Sequence, residues 1–255
     1  MASNSCNEIY KVLKNHYTKV GITIIKKEAD LENLIKKKPD LVFSGIKYIG
    51  FTKNSISRES TDKIWLSEYL DSKGINYTGS KSSALKLEFN KDLAKQKIQK
   101  NKINTAPFFI AKPGQYKSNK DLPVPFPLFI KPIYEGNGKG IDRDSIVTDF
   151  EGFEKKVAAI FKEFKSPSLV EKYLNGGEFT VGVFDVTSNS DKTAMSVKLI
   201  TTADKFGNKI LSFETKESDR VNLVAIKDKK EHHRVSEFAK KAFKSLGARD
   251  YGRID

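Results

Sequence analysis

Cysteine, histidine and tryptophan are almost missing from this chain: its 255 residues include one Cys, three His and one Trp. A lone cysteine, Cys6, excludes an internal disulfide and any cysteine-built metal site, and near the N-terminus it reads as incidental rather than nucleophilic. Three histidines give no basis for a Ser/His/Asp arrangement. His232 and His233 are adjacent, so they point to different helix faces, and neither has a partner at metal-ligand spacing. They read as surface residues. Long apolar runs are lacking too. None approaches the roughly 18–20 residues that cross a bilayer, so no membrane partner is expected. The opening Met-Ala-Ser-Asn-Ser-Cys6 has no basic patch followed by an apolar stretch, so no signal peptide is read and the expected location is the cytoplasm.

Acidic residues are also in deficit. Lys plus Arg number 46 against 32 Asp plus Glu, a net charge of +14. Such a surplus suits nucleic acid, an anionic surface or small anions such as nucleotides. The lysines are spread along the chain, as in Lys36–Lys38, Lys95–Lys102 and Lys227–Lys230, with no zinc-finger spacing, RNA-binding aromatic motif or arginine-rich arm. Solvated lysine faces are the plainer reading, and the sequence argues against nucleic acid as a partner. What is present, 38% apolar and 11% aromatic residues, fits a globular domain with a real core.

Residues 1–79 alternate helical and extended patterns. Glu8–Tyr17, Asp30–Lys38 and Thr61–Lys73 read as helices, the last closed by Gly74, while Gly21–Ile25 and Asp40–Phe43 read as strands. This alternation predicts a small parallel α/β sheet. A polar, helix-rich stretch runs from Ser80 to about Asn101. Thr105–Ile110, Pro127–Lys131, Leu169–Lys172, Phe179–Val186 and Thr193–Ile200 read as strands, the last three of an antiparallel sheet. Thr148-Asp-Phe-Glu151 has the capping-box pattern, opening a helix with Phe153, Val157, Ile160, Phe161 and Phe164 on one face. Val235 to Leu246 forms another stripe, closed by Gly247, and Tyr251–Asp255 begins a strand. These stripes are core positions. The fold class expected is α/β (α+β).

The most conspicuous local feature is Lys131-Pro-Ile-Tyr-Glu135-Gly-Asn-Gly-Lys-Gly140. Closely spaced glycines let backbone amides wrap an anion, and Lys139 adds charge. It is no Walker A loop, because Gly140 follows Lys139 where Ser or Thr is needed, nor a Rossmann fingerprint, because Ile141 stands where the third glycine belongs. Alone, it reads equally well as a flexible hairpin.

Taken together, several segments resemble the D-alanine–D-alanine ligase family of the ATP-grasp superfamily in order and spacing. They are Ile64–Leu70 with Gly74–Ser80, Asn90-Lys91-Asp92-Leu93-Ala94-Lys95, Phe126–Pro132 with Glu135-Gly136, Leu169–Leu174 with Gly177–Gly182, and Tyr251–Asp255. The likeness covers roughly residues 61–255. It implies a small α/β domain over 1–79 and an ATP-grasp region over 80–255, with a central lid at about 105–184 and the start of a catalytic subdomain at about 185–255. It also implies ATP and Mg²⁺ as cofactors, amino-acid-like small molecules as substrates, a place in peptidoglycan biosynthesis, and, as in many relatives, a homodimer. By resemblance Lys91 and Lys131 hold ATP phosphates under the loop Glu135-Gly136-Asn137-Gly138. Glu171, Lys172 and Leu174 lie along the adenine and Glu178 meets the ribose. Lys216 faces phosphate, Arg253 stabilises charge on the reacting acyl phosphate, and Asp255 binds metal. The reaction so implied joins a carboxylate to an amine through an acyl phosphate.

The chain also departs from that pattern. The opening strand and glycine turn of the family's first domain are not seen, and Ser44–Phe51 replaces its histidine–glycine stretch. Asn137 stands where a serine is expected and Glu217 where a tyrosine is. The Glu and Asn that complete the family's two-metal site fall beyond Asp255, so the expectation is a truncated ATP-grasp fold with weak turnover of its own. Two other readings compete with the ligase: a non-catalytic nucleotide-binding relative, and a basic nucleic-acid-binding protein.

Overall fold

A computed structural model describes residues 3–50, 63–136, 138–185, 193–201 and 221–255. The chain is α+β and divides into two compact units, Met1–Leu85 and Lys86–Asp255. No helix among the described residues is long and apolar enough to cross a membrane.

In the first unit, α1 (Ser3–Lys14) precedes α2 (Glu28–Lys36), and β1 (Tyr48–Gly50) pairs antiparallel with β2 (Lys63–Trp65) before α3 (Leu66–Ser72). Leu31 and Leu34 of α2 close over Ile49, Leu66, Leu70 and Tyr77 to form its core. Among the described residues, the expected parallel sheet is reduced to a single parallel bridge, Val42 to Tyr77. Val42 is inward while Leu41 and Phe43 are exposed, so Asp40–Phe43 is no continuously buried strand. Gly21–Ile25 forms no strand either, and Ile22 and Ile24 face solvent. Its β-branched residues favour extended backbone, but a strand needs a partner, and no described residue supplies one. Residues 63–65, read as helix from sequence, are strand. Trp65 tilts its ring against Tyr48 at 5.4 Å between centroids, and Leu66 N–H donates to Lys47 O at 3.1 Å. This tertiary pairing outweighs the local helical pattern.

The division between units falls within α4 (Ser82–Glu88); α5 (Lys91–Lys100) follows. Two antiparallel sheets make up the second unit. The first orders β3 (Phe108–Ala111), β6 (Ser168–Lys172), β4 (Leu128–Pro132) and β5 (Ile146–Val147). The second orders β10 (Tyr251–Ile254), β7 (Glu178–Phe184), β8 (Thr193–Thr201) and β9 (Val221–Ala225).

One helix covers each sheet. On the first, α6 (Phe150–Phe164) buries Phe153, Val157 and Ile160 against Phe109, Leu128, Ile130 and Val170. Its N-cap is Asp149, one residue after the expected Thr148, because the Asp149 carboxylate accepts from Gly152 N–H at 2.8 Å. On the second, α7 (Lys229–Leu246) buries Ala239 and Phe243 against Val181 and Val183, and ends at Gly247 in the left-handed region. Helix α5 is tied to the end of α7, where Lys97 Nζ donates to Leu246 O at 3.0 Å. That ammonium meets the negative end of the α7 dipole.

Candidate functional site

Strand alternation builds the site. In β4, Leu128, Ile130 and Pro132 are buried while Phe129 and Lys131 lie on the opposite face. The register pairs Phe129 with Glu171 and Phe108 with Glu171, so the Glu171 carboxylate rises between two aromatic rows on the face away from α6. Helix α5 contributes Lys91 and Lys95, four residues apart and therefore on one face.

Three of these charged side chains meet, and Lys91 lies near enough to feel the charges of Lys131 and Glu171. Lys95 Nζ lies 2.5 Å from Glu171 Oε1, and Lys131 Nζ pairs with Glu171 Oε2. Lys95 also donates to Thr105 Oγ1 at 2.6 Å. Lys91 Nζ donates to the carbonyls of Pro132 at 3.2 Å, Ile133 at 3.4 Å and Glu135. It thus knots the end of β4 to the root of the glycine loop.

Burial strips water from this cluster and moves its protons. Burial, reinforced by the Lys131 charge, lowers the Lys91 ammonium from its usual 10.5 to about 8. Lys95 is also lowered, chiefly by burial, with Glu171 pulling the other way. Burial alone would raise Glu171, but the charges of Lys131 and Lys95 overcome it and hold the carboxyl below the usual carboxylate range. Three ammonium groups against the Glu171 carboxylate, and the Glu135 carboxylate acting on Lys91, still leave the cluster net positive and thinly solvated. Its chemistry suits a multiply charged anion.

The loop beyond is shaped for close approach. Gly138 and Gly140 have φ of 81° and 72°. A Cβ on Gly140 would stand 2.4 Å from Pro132 Cγ and 2.8 Å from the Phe164 ring, so the loop root packs only with glycine there. Asn137 and Lys216 lie outside the described residues. Past β6, Lys172 N–H donates to Pro107 O at 2.9 Å, so any part Lys172 plays toward a base falls to its carbonyl. Its ammonium binds Phe126 O at 2.7 Å and Pro125 O at 3.1 Å, fastening the loop before β4. Leu174 is exposed and Glu178, opening β7, is half-buried.

Arg253 and Asp255 stand on the second sheet, where β10 pairs with β7 and Arg253 faces Gly182. Thr180 Oγ1 donates to Asp255 Oδ1 at 2.5 Å, and Arg253 Nη2 lies 3.0 Å from Asp255 Oδ2. Both charged side chains are more than half exposed, at 67% and 55%. The described residues contain no group of three or more His, Cys, Asp or Glu able to hold a metal. An exposed, oriented carboxylate such as Asp255 fits Mg²⁺ as one ligand, since that ion commonly takes one or two carboxylates together with phosphate oxygens.

The structure therefore gathers Lys91, Lys131 and Glu171 at one centre and sets Arg253 with Asp255 at another. Lys95, Thr105 and Thr180 were not singled out as site residues from sequence. The four-residue spacing from Lys91 to Lys95 was the available signal for the first.

Comparison with known proteins places the chain. The family described as D-ala D-ala ligase C-terminus matches residues 97–255. The D-alanine–D-alanine ligase of Geotalea uraniireducens is 29% identical over 192 residues, covering 73% of this chain and 56% of that protein. That of Leptospira interrogans is 29% identical over 197 residues, covering 73% and 54%. The chain spans about half the length of these curated relatives. Among solved structures, the Bacillus anthracis D-alanine–D-alanine ligase complexed with ATP superposes with a TM-score of 0.66 at 22% identity, covering all of this chain and 78% of that one. The VanG D-Ala:D-Ser ligase of Enterococcus faecalis gives 0.60 at 19%, covering 84% and 58%. With the family matched over more than half its length and the fold shared, this chain belongs to the D-alanine–D-alanine ligase C-terminal family of ATP-grasp proteins.

Proposed function

We propose that the chain binds ATP and forms the nucleotide-holding part of a cytoplasmic ATP-dependent carboxylate–amine ligase. The observation that carries this reading is the net-positive cluster of Lys91, Lys95, Lys131 and Glu171 at the root of the glycine loop. A triphosphate answers that charge, and a loop with glycines at positive φ allows its backbone to approach the oxygens. Lys131 meets the phosphates directly, and Lys91 fixes the turn that leads into the loop. Lys172 and Leu174 present backbone groups to the adenine edge, and Glu178 accepts from the ribose hydroxyls.

In the reaction proposed, a substrate carboxylate oxygen attacks the γ-phosphorus as the bond to the bridging oxygen breaks, giving an acyl phosphate and ADP. An amine then attacks the acyl carbon, phosphate leaves, and the amine gives up a proton. Arg253 offsets charge on the acyl phosphate oxygens, and Thr180 and Arg253 together orient the Asp255 carboxylate. Asp255 would contribute one carboxylate to Mg²⁺, which would supply charge neutralisation to the phosphates when bound. The relatives named above act on D-alanine, or on D-alanine and D-serine, and these head the substrate screen, together with a role in peptidoglycan biosynthesis.

The test is calorimetric titration with Mg-ATP, followed by assay of ADP and phosphate release with and without D-amino acids. Binding with amino-acid-dependent release supports the ligase. Binding with no release supports a nucleotide-holding relative. Absence of binding contradicts the proposal.

A further inference from the structure

Lys95 differs from Lys131 in how fully it is committed. Its side chain is 11% exposed against 21% for Lys131. An ammonium has three N–H donors. Here one reaches Glu171 Oε1 at 2.5 Å, one reaches Thr105 Oγ1 at 2.6 Å, and the nitrogen stands 5.1 Å from the centroid of the Phe108 ring. Two of the three donors are thus taken, and the ammonium lies over an aromatic face. Glu171 is divided in turn, giving Oε1 to Lys95 and Oε2 to Lys131.

That division has an electrostatic consequence. A buried carboxylate facing one ammonium makes a neutral pair and cancels the charge an incoming anion would feel. Facing two, it leaves one positive charge over, shared across the bridge. It is also held by both oxygens, so it cannot swing to follow Lys131.

We propose that Lys95 is a positioning residue acting through Glu171: by holding one carboxylate oxygen it keeps Glu171 from neutralising Lys131, which stays net positive toward a polyphosphate. This rests on the proposed nucleotide cleft only for the identity of the anion. It makes Glu171 a restraint on phosphate binding that Lys95 relieves.

The experiment is a double-mutant cycle on the whole chain, read as Kd for inorganic pyrophosphate and for Mg-ATP. The proteins are wild type, Lys95→Met, Lys95→Arg, Glu171→Gln and the Met/Gln double variant. The expected result is about a tenfold loss of pyrophosphate affinity in Lys95→Met, within the range of coupling between contacting charged groups. Lys95→Arg should stay within about threefold of wild type, since it keeps the charge on Glu171. In the Glu171→Gln background, removing Lys95 should change affinity by less than about threefold. An equal loss in both backgrounds would mean that Lys95 acts on the anion directly and would overturn the proposal, as would a Lys95→Met protein that binds like wild type. Should Lys95→Met fail to fold, Glu171→Gln decides alone: pyrophosphate affinity should rise about threefold or more as the restraint is lifted, and a fall overturns the proposal. A wild type that takes pyrophosphate but not Mg-ATP contradicts the nucleotide reading and leaves this one standing. One that takes neither contradicts both.

Discussion

At the scale of single residues, the account turns on lysines whose charge is worth more because they are partly dry. Lys91 gives the clearest pH dependence. Its ammonium is lowered from 10.5 to about 8 in the folded protein, chiefly by burial. Between those values the unfolded chain binds more protons than the folded one, so stability rises with pH from about 8 to about 10.5. Nucleotide affinity should move the opposite way, falling as pH rises through about 8 and Lys91 loses its charge. Chemical denaturation and Mg-ATP titration across pH 7–10 check both slopes, and Lys91→Met should flatten them. A parallel rise of stability and affinity would contradict this assignment. The residue scale also shows where sequence reading stops. Lys131 stood out because it immediately precedes a glycine loop. Lys95 entered only as the end of the Asn90–Lys95 motif, with no role, because one lysine in a lysine-rich helix shows no partner until β6 brings Glu171 to it. Likewise, nothing in the pattern Leu-Val-Glu-Lys says that Glu171 faces two cations and Lys172 ties down a loop on the other side of the sheet.

At the scale of elements, period and punctuation carried most of the second unit. The α6 stripe, the α7 stripe with its Gly247 stop, and strands β3, β4, β6, β7 and β8 all lie within a few residues of where periodicity puts them, but Phe161 and Phe238 of the stripes are exposed, and β6 joins the first sheet instead of sharing one with β7 and β8. Where reading failed, a long-range partner decided. Residues 63–65 pair with β1 instead of joining the helix behind them, and Gly21–Ile25 has the composition of a strand without a neighbour to make it one. The N-cap of α6 makes a modest prediction. Asp149→Ala should cost about 1 kcal/mol in urea denaturation, while Thr148→Ala should cost clearly less, since Asp149 supplies the cap. Phe153, which packs against Phe109, Tyr116 and Phe150, should cost about 3–5 kcal/mol when cut to alanine. The glycine loop is the third case. Gly140→Ala must strain a φ of 72° and displace Pro132 or Phe164, and about 1–3 kcal/mol of lost stability is expected. A neutral Gly140→Ala would show that the loop root is not packed as described.

At the scale of the whole molecule, the surplus of +14 looked from sequence like undirected solvated lysine. Most of it is, but a few of those lysines converge where the loop begins, and folding turns diffuse charge into a site. The family pattern was legible because five short motifs keep their order. The pattern of the first 79 residues was less so, because their described part holds a two-stranded antiparallel pair and one parallel bridge, which leave little periodicity to read. The central claim is that the second unit holds ATP through Lys131. It is tested most directly by the thermal unfolding of the chain with and without saturating Mg-ATP, in wild type and in Lys131→Ala. A ligand that binds only the folded state adds about 2.7 kcal/mol at a hundredfold excess over Kd, a rise in Tm of about 5–10 °C for a unit of this size. The account predicts that rise in wild type and its loss, or near loss, in Lys131→Ala. An unshifted wild type, or an equal shift in the variant, would contradict it.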